Sequence, residues 1–164
     1  MPQRRVVLTL SFALLALLIT ACCFGGSAPA ANVTRLDPWG IELDHGSFTG
    51  GREADGSYRF TSADGSSTVT VTAAAPGAAA AQRQPTEIAS GQVQWSRPRS
   101  YAGLSGMEAR LTDVPGARVH WVGAVDAPGG VVWIHLETST QWIDTPTRGD
   151  PGWETLALGL HPAR

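Results

Sequence analysis

The chain has 164 residues, a formal net charge of −2, and two cysteines that both stand near the N-terminus. Fourteen acidic residues against 12 basic ones leave no basic surface of the kind that binds nucleic acid, so no nucleic-acid partner is expected. Because Cys22 and Cys23 precede the part predicted to fold, that part is expected to contain no disulfide and no thiol-based metal site.

The first 21 residues have the features of a secretory leader. A pair of arginines near the start is followed by an almost unbroken apolar run, Val6 to Ile19, and then by the small residues Thr20 and Ala21. The run is short for a transmembrane helix, which needs about 20 apolar residues. We therefore predict a cleaved signal peptide over residues 1–21.

The end of this leader, Ile19-Thr20-Ala21-Cys22, resembles the lipobox of bacterial lipoproteins. The resemblance implies that Cys22 is diacylated on sulfur, becomes the new N-terminus and holds the protein on a membrane. An ordinary secretory signal without acylation is the alternative. Each buried methylene contributes about 0.8 kcal/mol, and because a single acyl chain anchors only marginally, two chains are needed for stable attachment. Cys23 is expected to remain a free thiol, and a disulfide with another chain is the alternative.

The resemblance also suggests where the anchor lies. The residue after the acylated cysteine is Cys23 and not aspartate. In an organism with two membranes this suggests the periplasmic face of the outer membrane. With a single membrane, the anchor would be in the outer leaflet of the cytoplasmic membrane.

Removal of the leader would leave 143 residues, a length that suits one domain. Residues 22–36 are rich in Gly, Ser, Ala and Pro near their start and are predicted to form a lipidated, flexible tether. Residues 37–164 are predicted to form the single domain.

Apolar and polar residues alternate with a period of two from Trp39 onward, which is typical of antiparallel strands with one buried face. We predict an α+β fold in which an antiparallel sheet of about six to eight strands, arranged as a meander of hairpins, is covered by a C-terminal helix. The apolar positions that alternate are Ile41 and Leu43; Tyr58 and Phe60; Val69 and Val71; Val93 and Trp95; Met107, Ala109 and Leu111; and Val119, Trp121 and Val125.

Three turns predict the pairing of these strands. They are Asp64-Gly65, Val114-Pro115-Gly116 and Pro128-Gly129, and each follows the turn chemistry of β-hairpins. The predicted cross-strand pairs are Phe60 with Val69, Tyr58 with Val71, Leu111 with Val119, Ala109 with Trp121, Val125 with Val132, and Gly123 with Ile134.

Two segments are predicted to be helical. The Ala-rich stretch from Ala73 to Gln84 is interrupted by Pro76-Gly77, so only a short helix after Gly77 is expected. The C-terminal helix has Asp150 as N-cap and Pro151 at its first position. Its apolar stripe consists of Trp153, Leu156 and Leu160, and Pro162 ends it.

This order of elements resembles the PsbP-like fold of many small bacterial lipoproteins. The residues that carry the resemblance are Tyr101 to Thr112, Gly129 to Thr138 and Trp153 to Leu160, although the stretch from Ala73 to Gln84 is shorter and more broken than the helix of that family. The resemblance implies a non-enzymatic binding or assembly factor. An envelope protein is a possible partner, and no cofactor is expected.

A group of polar residues on the predicted polar face offers the first alternative function. In the predicted register His120 lies opposite Glu137 with His135 diagonal to it, and imidazole and carboxylate groups are ligands for zinc and other transition metals. A solvated polar face is the simpler interpretation of His120, His135 and Glu137. Binding of a metal by these three residues is the alternative.

The tryptophans offer another alternative, a weak glycan-binding module for cell-wall fragments. Trp133 falls on the predicted polar face, and Trp39 and Trp142 lie near strand ends, so all three are candidates for an exposed recognition surface. Coverage of these rings by other segments is the competing interpretation. Catalysis is not expected, because Gly103-Leu104-Ser105-Gly106 is one residue short of a nucleophile elbow and precedes a strand.

Overall fold

The computed structural model describes residues 32–113, 118–139 and 151–164. Of the two units into which the chain divides, Met1–Ala31 and Asn32–Arg164, the second contains all of the described residues. The predicted leader, Cys22, Cys23 and most of the predicted tether therefore lie outside the described residues. No helix in the described part is long and apolar enough to cross a membrane.

The described part of the chain is mostly antiparallel β-structure, with ten strands in two sheets and one α-helix near the C-terminus. The strands are β1 (Val33–Leu36), β2 (Ile41–Asp44), β3 (Thr49–Arg52), β4 (Tyr58–Thr61), β5 (Ser67–Ala73), β6 (Gln92–Tyr101), β7 (Leu104–Thr112), β8 (Arg118–Ala127), β9 (Gly130–Ser139) and β10 (Leu160–Pro162). The α-helix is α1 (Pro151–Leu158), and short 3₁₀ turns occupy Asp37–Trp39, Ala80–Gln82 and Pro85–Glu87.

The larger sheet has seven strands in the order β3-β4-β5-β9-β8-β7-β6, and the smaller has three in the order β1-β2-β10. The predicted antiparallel sheet of about six to eight strands is thus present, but it is not one continuous meander, because β5 pairs with β9. A second sheet accompanies it and the described part has one α-helix, so the predicted α+β class holds only in part. Val33–Leu36 was expected to belong to the tether, and instead it forms β1 and pairs with β2. The folded unit therefore begins earlier than the sequence predicted.

The first face of the larger sheet carries the main core. Strands β4, β5, β8 and β9 contribute alternating buried side chains, which pack against α1 and the smaller sheet. The residues of this core with no exposed surface are Leu36, Ile41, Leu43, Phe60, Val69, Val71, Val125, Val132, Trp153 and Leu160. Burial of each large side chain of this kind contributes about 1.5–3 kcal/mol, so both α1 and the smaller sheet are part of what stabilises the fold.

The C-terminal helix begins at Pro151 as predicted but is shorter than predicted. Trp153 and Leu156 are buried in the core, whereas Leu160 lies in β10 and pairs with Leu43. Gly159 separates helix from strand, and a Cβ atom there would stand 2.5 Å from the backbone oxygen of Asp44. Only glycine allows this close approach, and it lets the chain pass from the helix directly into the smaller sheet.

The stretch from Ala73 to Gln84 has a short helical segment after Gly77, as expected, but that segment is a 3₁₀ turn and not an α-helix. It continues into the 3₁₀ turns Ala80–Gln82 and Pro85–Glu87, and the backbone N–H of Ala80 donates a hydrogen bond of 2.9 Å to the carboxylate of Asp126. We call residues 74–91 the insertion. It covers part of the second face of the larger sheet, where a second buried cluster contains Ala80, Ala89, Met107, Ala109, Leu111, Val122, Ala124 and Trp133.

Two of the three predicted hairpin registers are confirmed. The hairpin at Asp64-Gly65 has both predicted pairs, and so does the hairpin at Pro128-Gly129. The register between β7 and β8 differs by one residue, since Leu111 pairs with His120 and Ala109 pairs with Val122.

A shift of one residue moves every side chain of a strand to the opposite face. Met107, Ala109 and Leu111 consequently lie on the second face and not beside Trp121. An irregularity in β6 also moves side chains to the opposite face. Val93 pairs with Leu111, whereas Trp95 pairs with Arg110, so Val93 and Trp95 lie on different faces of the sheet.

Candidate functional site

The strongest candidate site lies on the second face of the larger sheet, where His120 of β8 and His135 of β9 meet. We call these two residues the histidine pair. In the antiparallel register His120 is opposite Glu137 and His135 is opposite Val122, so the two imidazoles are diagonal neighbours, as the sequence predicted. Diagonal neighbours on one face of a sheet are within reach of long or aromatic side chains.

The two rings of the histidine pair are in direct contact. Nδ1 of His120 is 2.9 Å from Nε2 of His135, and the ring centroids are 5.1 Å apart with 29° between the planes. This nitrogen–nitrogen distance is that of a hydrogen bond, so one of the two nitrogens carries the shared proton.

Asp113 completes a chain of three groups, and the sequence analysis did not identify it. Its Oδ1 atom lies 2.7 Å from Nε2 of His120. Asp113 directly follows β7, and its backbone N–H bonds to the carbonyl of Arg118 at 3.0 Å, which places its side chain beside the first residues of β8. The carboxylate accepts the proton of His120 Nε2, and the other ring nitrogen, Nδ1, faces His135.

The two histidine side chains are less exposed to solvent than residues of a solvated polar face would be. The side chain of His120 is only 7% exposed and that of Asp113 is 29% exposed, whereas His135 is half-buried. Burial lowers the pKa of His135 to about 4, the neighbouring charge of His120 acts in the same direction, and Asp113 opposes both. His135 is therefore a neutral imidazole at pH 7, with a lone pair available to a proton donor or a metal.

Glu137 does not join the histidine pair, so the alternative in which it shares a metal ion with the two histidines is not supported. It occupies the predicted position opposite His120, but its carboxylate forms an ion pair with Arg118 at the start of β8. The carboxylate that does bond to an imidazole is that of Asp113, from the opposite side of His120.

The side chains are therefore not arranged as in the alternative hypothesis, in which two histidines and a glutamate surround one metal ion. Among the residues that the structure describes, no group of three or more His, Cys, Asp and Glu side chains is arranged to hold a metal ion.

The tryptophans do not form an exposed recognition surface within the described residues. Trp133 is 3% exposed because the insertion covers it, and Trp39 is 6% exposed, with its ring centroid 5.8 Å from that of Tyr58 in the main core. For these two rings the interpretation that other segments cover them is confirmed, and the alternative of an exposed recognition surface is wrong. Trp142 lies outside the described residues.

A second polar cluster lies on the first face of the larger sheet, and sequence reasoning missed it. Glu108 of β7 is 1% exposed and accepts hydrogen bonds from Arg97, Arg99 and Trp153. Arg99 also binds Glu154 of α1 through two hydrogen bonds of 3.1 and 2.9 Å. The cluster joins β6, β7 and α1, so its evident role is to hold the helix on the sheet.

Comparison with known proteins adds little. No protein-family model matches the sequence, and no curated protein is similar to it. A solved structure from Bacteroides thetaiotaomicron matches with a TM-score of 0.47 at 8% sequence identity, covering 76% of this chain and 46% of that chain. This chain thus spans less than half the length of that protein, and the similarity is too low to assign a fold or a function.

Proposed function

We propose that the protein is a bacterial lipoprotein of the cell envelope, anchored through Cys22, and that residues 32–164 act as a non-catalytic binding or assembly module. The observation that carries the proposal is the position of Cys22, directly after Ala21 at the end of a short apolar leader with a basic start. The resemblance to PsbP-like small lipoproteins is consistent with a binding role.

The sequence interval between Cys22 and β1 is short. Ten residues separate Cys22 from Val33, the first residue of β1. The partner that we propose is an envelope protein at or near the membrane surface that carries the anchor.

The arrangement of the histidine pair supports binding more than nucleophilic catalysis. Ser105, the serine that comes nearest to a nucleophile-elbow pattern, lies at one end of β7 opposite Ser100. His120 is opposite Leu111 near the other end of the same strand. At about 3.4 Å per residue the two positions are roughly 20 Å apart along β7, too far for His120 to activate that serine.

Fatty-acid labelling in growing cells tests the proposal. Cells that express the full chain and are fed an alkyne fatty acid are expected to label the parent protein, and the protein is expected in the membrane fraction. The Cys22→Ser variant should lose both the label and the membrane association, while Cys23→Ser, which changes the adjacent thiol only, should keep both. Equal labelling of all three proteins, or none, would remove the basis for the anchor.

A further inference from the structure

We propose that the histidine pair is an open binding site for one divalent transition-metal ion, Cu(II) or Ni(II), with His120 Nδ1 and His135 Nε2 as its two protein ligands. The inference goes beyond the proposed lipid anchor and does not depend on it. The ion would replace the proton that the two rings now share. Imidazole nitrogen is a preferred ligand of these metals.

The distance between the two nitrogens brings both within reach of one ion. They are 2.9 Å apart and the ring centroids are 5.1 Å apart, so the two rings face each other end to end along the hydrogen bond. An ion about 2.0 Å from each nitrogen would lie beside this line, so both rings would have to turn toward it. Cu(II) and Ni(II) are preferred because divalent metals bind nitrogen ligands with affinities that rise toward Cu(II).

Asp113 supplies the outer support that such a site needs. Histidines that bind metals usually donate their second ring N–H to a carboxylate, which fixes the tautomer and the ring orientation. Here Nε2 of His120 is 2.7 Å from Oδ1 of Asp113, and its other nitrogen faces His135. Asp113 would act as a positioning residue, since it contacts His120 and not the proposed metal position.

The surroundings indicate an open and exchangeable site. His120 is buried and rigidly held, whereas His135 is half-buried and gives an ion access from solvent. Thr70 lies opposite His135 on β5, and the Arg118–Glu137 ion pair lies opposite and beside the two rings. Because no group of three ligating side chains is present among the described residues, water or a donor group from a partner would complete the coordination.

Metal titration with spectroscopy tests the proposal. The protein is the full chain with Cys22→Ser and Cys23→Ser and without a histidine tag, so that neither thiols nor tag residues bind the ion. We expect one Cu(II) per chain, an electron paramagnetic resonance spectrum with coupling to two imidazole nitrogens, and affinity in the order Cu(II), Ni(II), Zn(II). Zn(II) binding tighter than Cu(II) would contradict a site made of two imidazole nitrogens.

Variants assign the ion to the histidine pair. His135→Gln is expected to weaken Cu(II) binding at least tenfold and to remove one nitrogen coupling, and its half-buried position allows the variant to fold, which near-ultraviolet circular dichroism checks. The matched control is His161→Gln, on β10, where binding should be unchanged. Equal binding by the parent and His135→Gln, or a loss only in His161→Gln, would overturn the proposal, as would a parent chain that binds no Cu(II).

The role of Asp113 has its own test. Removal of a carboxylate that orients a metal-binding histidine typically costs 10–100-fold in metal affinity, so Asp113→Asn should bind Cu(II) at least tenfold more weakly with both nitrogen couplings retained. Asp113→Glu is expected to restore much of the affinity. Unchanged affinity in Asp113→Asn would exclude the positioning role.

Discussion

The indole Nε1 of Trp153 donates a hydrogen bond of 3.1 Å to the carboxylate of Glu108, although 45 residues separate them in sequence. Trp153 has no exposed surface and Glu108 has 1%. The same carboxylate also accepts from Arg97 and Arg99. This bond joins α1 to β7, so the helix is held on the sheet by a buried charge as well as by apolar contacts.

Loss of the Glu108 carboxylate should therefore destabilise the fold strongly. Removing one partner of a buried ion pair typically costs about 3–5 kcal/mol, because the remaining charge and donors lose their partner. We expect Glu108→Ala to lower the free energy of unfolding by about this amount in urea titrations. Glu53→Ala, an exposed glutamate in the loop before β4, should change it by less than about 0.5 kcal/mol. Similar values for both variants would contradict the role of the buried cluster.

The carboxylate of Glu108 should also make the free energy of unfolding depend on pH in the acidic range. Burial alone would raise the pKa of Glu108, but hydrogen bonds from Arg99, Trp153 and Arg97 outweigh it and hold the pKa below its ordinary value. A carboxyl with a depressed folded-state pKa contributes stability above its unfolded pKa, and that stability is lost as pH falls through the folded pKa.

Thermal melts between pH 7 and pH 2 test this dependence. We expect the melting temperature of the parent to fall steeply below about pH 4.5, and the Glu108→Gln variant to lose less over the same interval. Parallel pH profiles for the two proteins would show that Glu108 is not the group responsible.

Any side chain at Gly123 is predicted to destabilise the fold. A Cβ atom there would stand 2.6 Å from the hydroxyl of Tyr101 and 3.0 Å from the indole of Trp153. Overpacking of this kind costs about 1–3 kcal/mol, so Gly123→Ala should destabilise the protein by that amount in denaturant titrations. Gly51→Ala on β3 is the control, because nothing lies within 4 Å of its Cβ position. A neutral Gly123→Ala variant would contradict the packing of α1 on β8.

The insertion should loosen when its anchor is removed. The carboxylate of Asp126 accepts the backbone N–H of Ala80, and Arg83 is 8% exposed in the folded protein. Loss of such a hydrogen bond costs about 1 kcal/mol, so Asp126→Ala should speed trypsin cleavage after Arg83 several-fold. Glu53→Ala should leave the cleavage rate unchanged. An unchanged rate in Asp126→Ala would show that this bond does not hold the insertion.

Local patterns in the sequence predict most of the strands and two of the three hairpins. Period-two alternation and the Asp64-Gly65 turn agree on one register, and the structure has that register. The β7–β8 hairpin is different, because apolar residues occur on both faces of β8, such as Trp121 and Val122. Alternation therefore does not distinguish between two registers that differ by one residue.

Besides this register, local sequence patterns do not predict which surfaces are buried by segments distant in sequence. His120 and Trp133 alternate with core residues and so were assigned to the polar face, but the insertion buries much of that face. Asp113 lies outside the regular alternation, and only the observed register brings it to His120. The helix boundary at Gly159 did have a local signal, since glycine commonly ends helices.

Mass spectrometry of the protein purified from growing cells decides whether Cys22 carries the lipid anchor. The mature chain is expected to begin at Cys22, and its N-terminal peptide is expected to carry the mass of a diacylglyceryl group. A mature N-terminal peptide that begins elsewhere, or that begins at Cys22 without acyl chains, would show that the proposed anchor is absent.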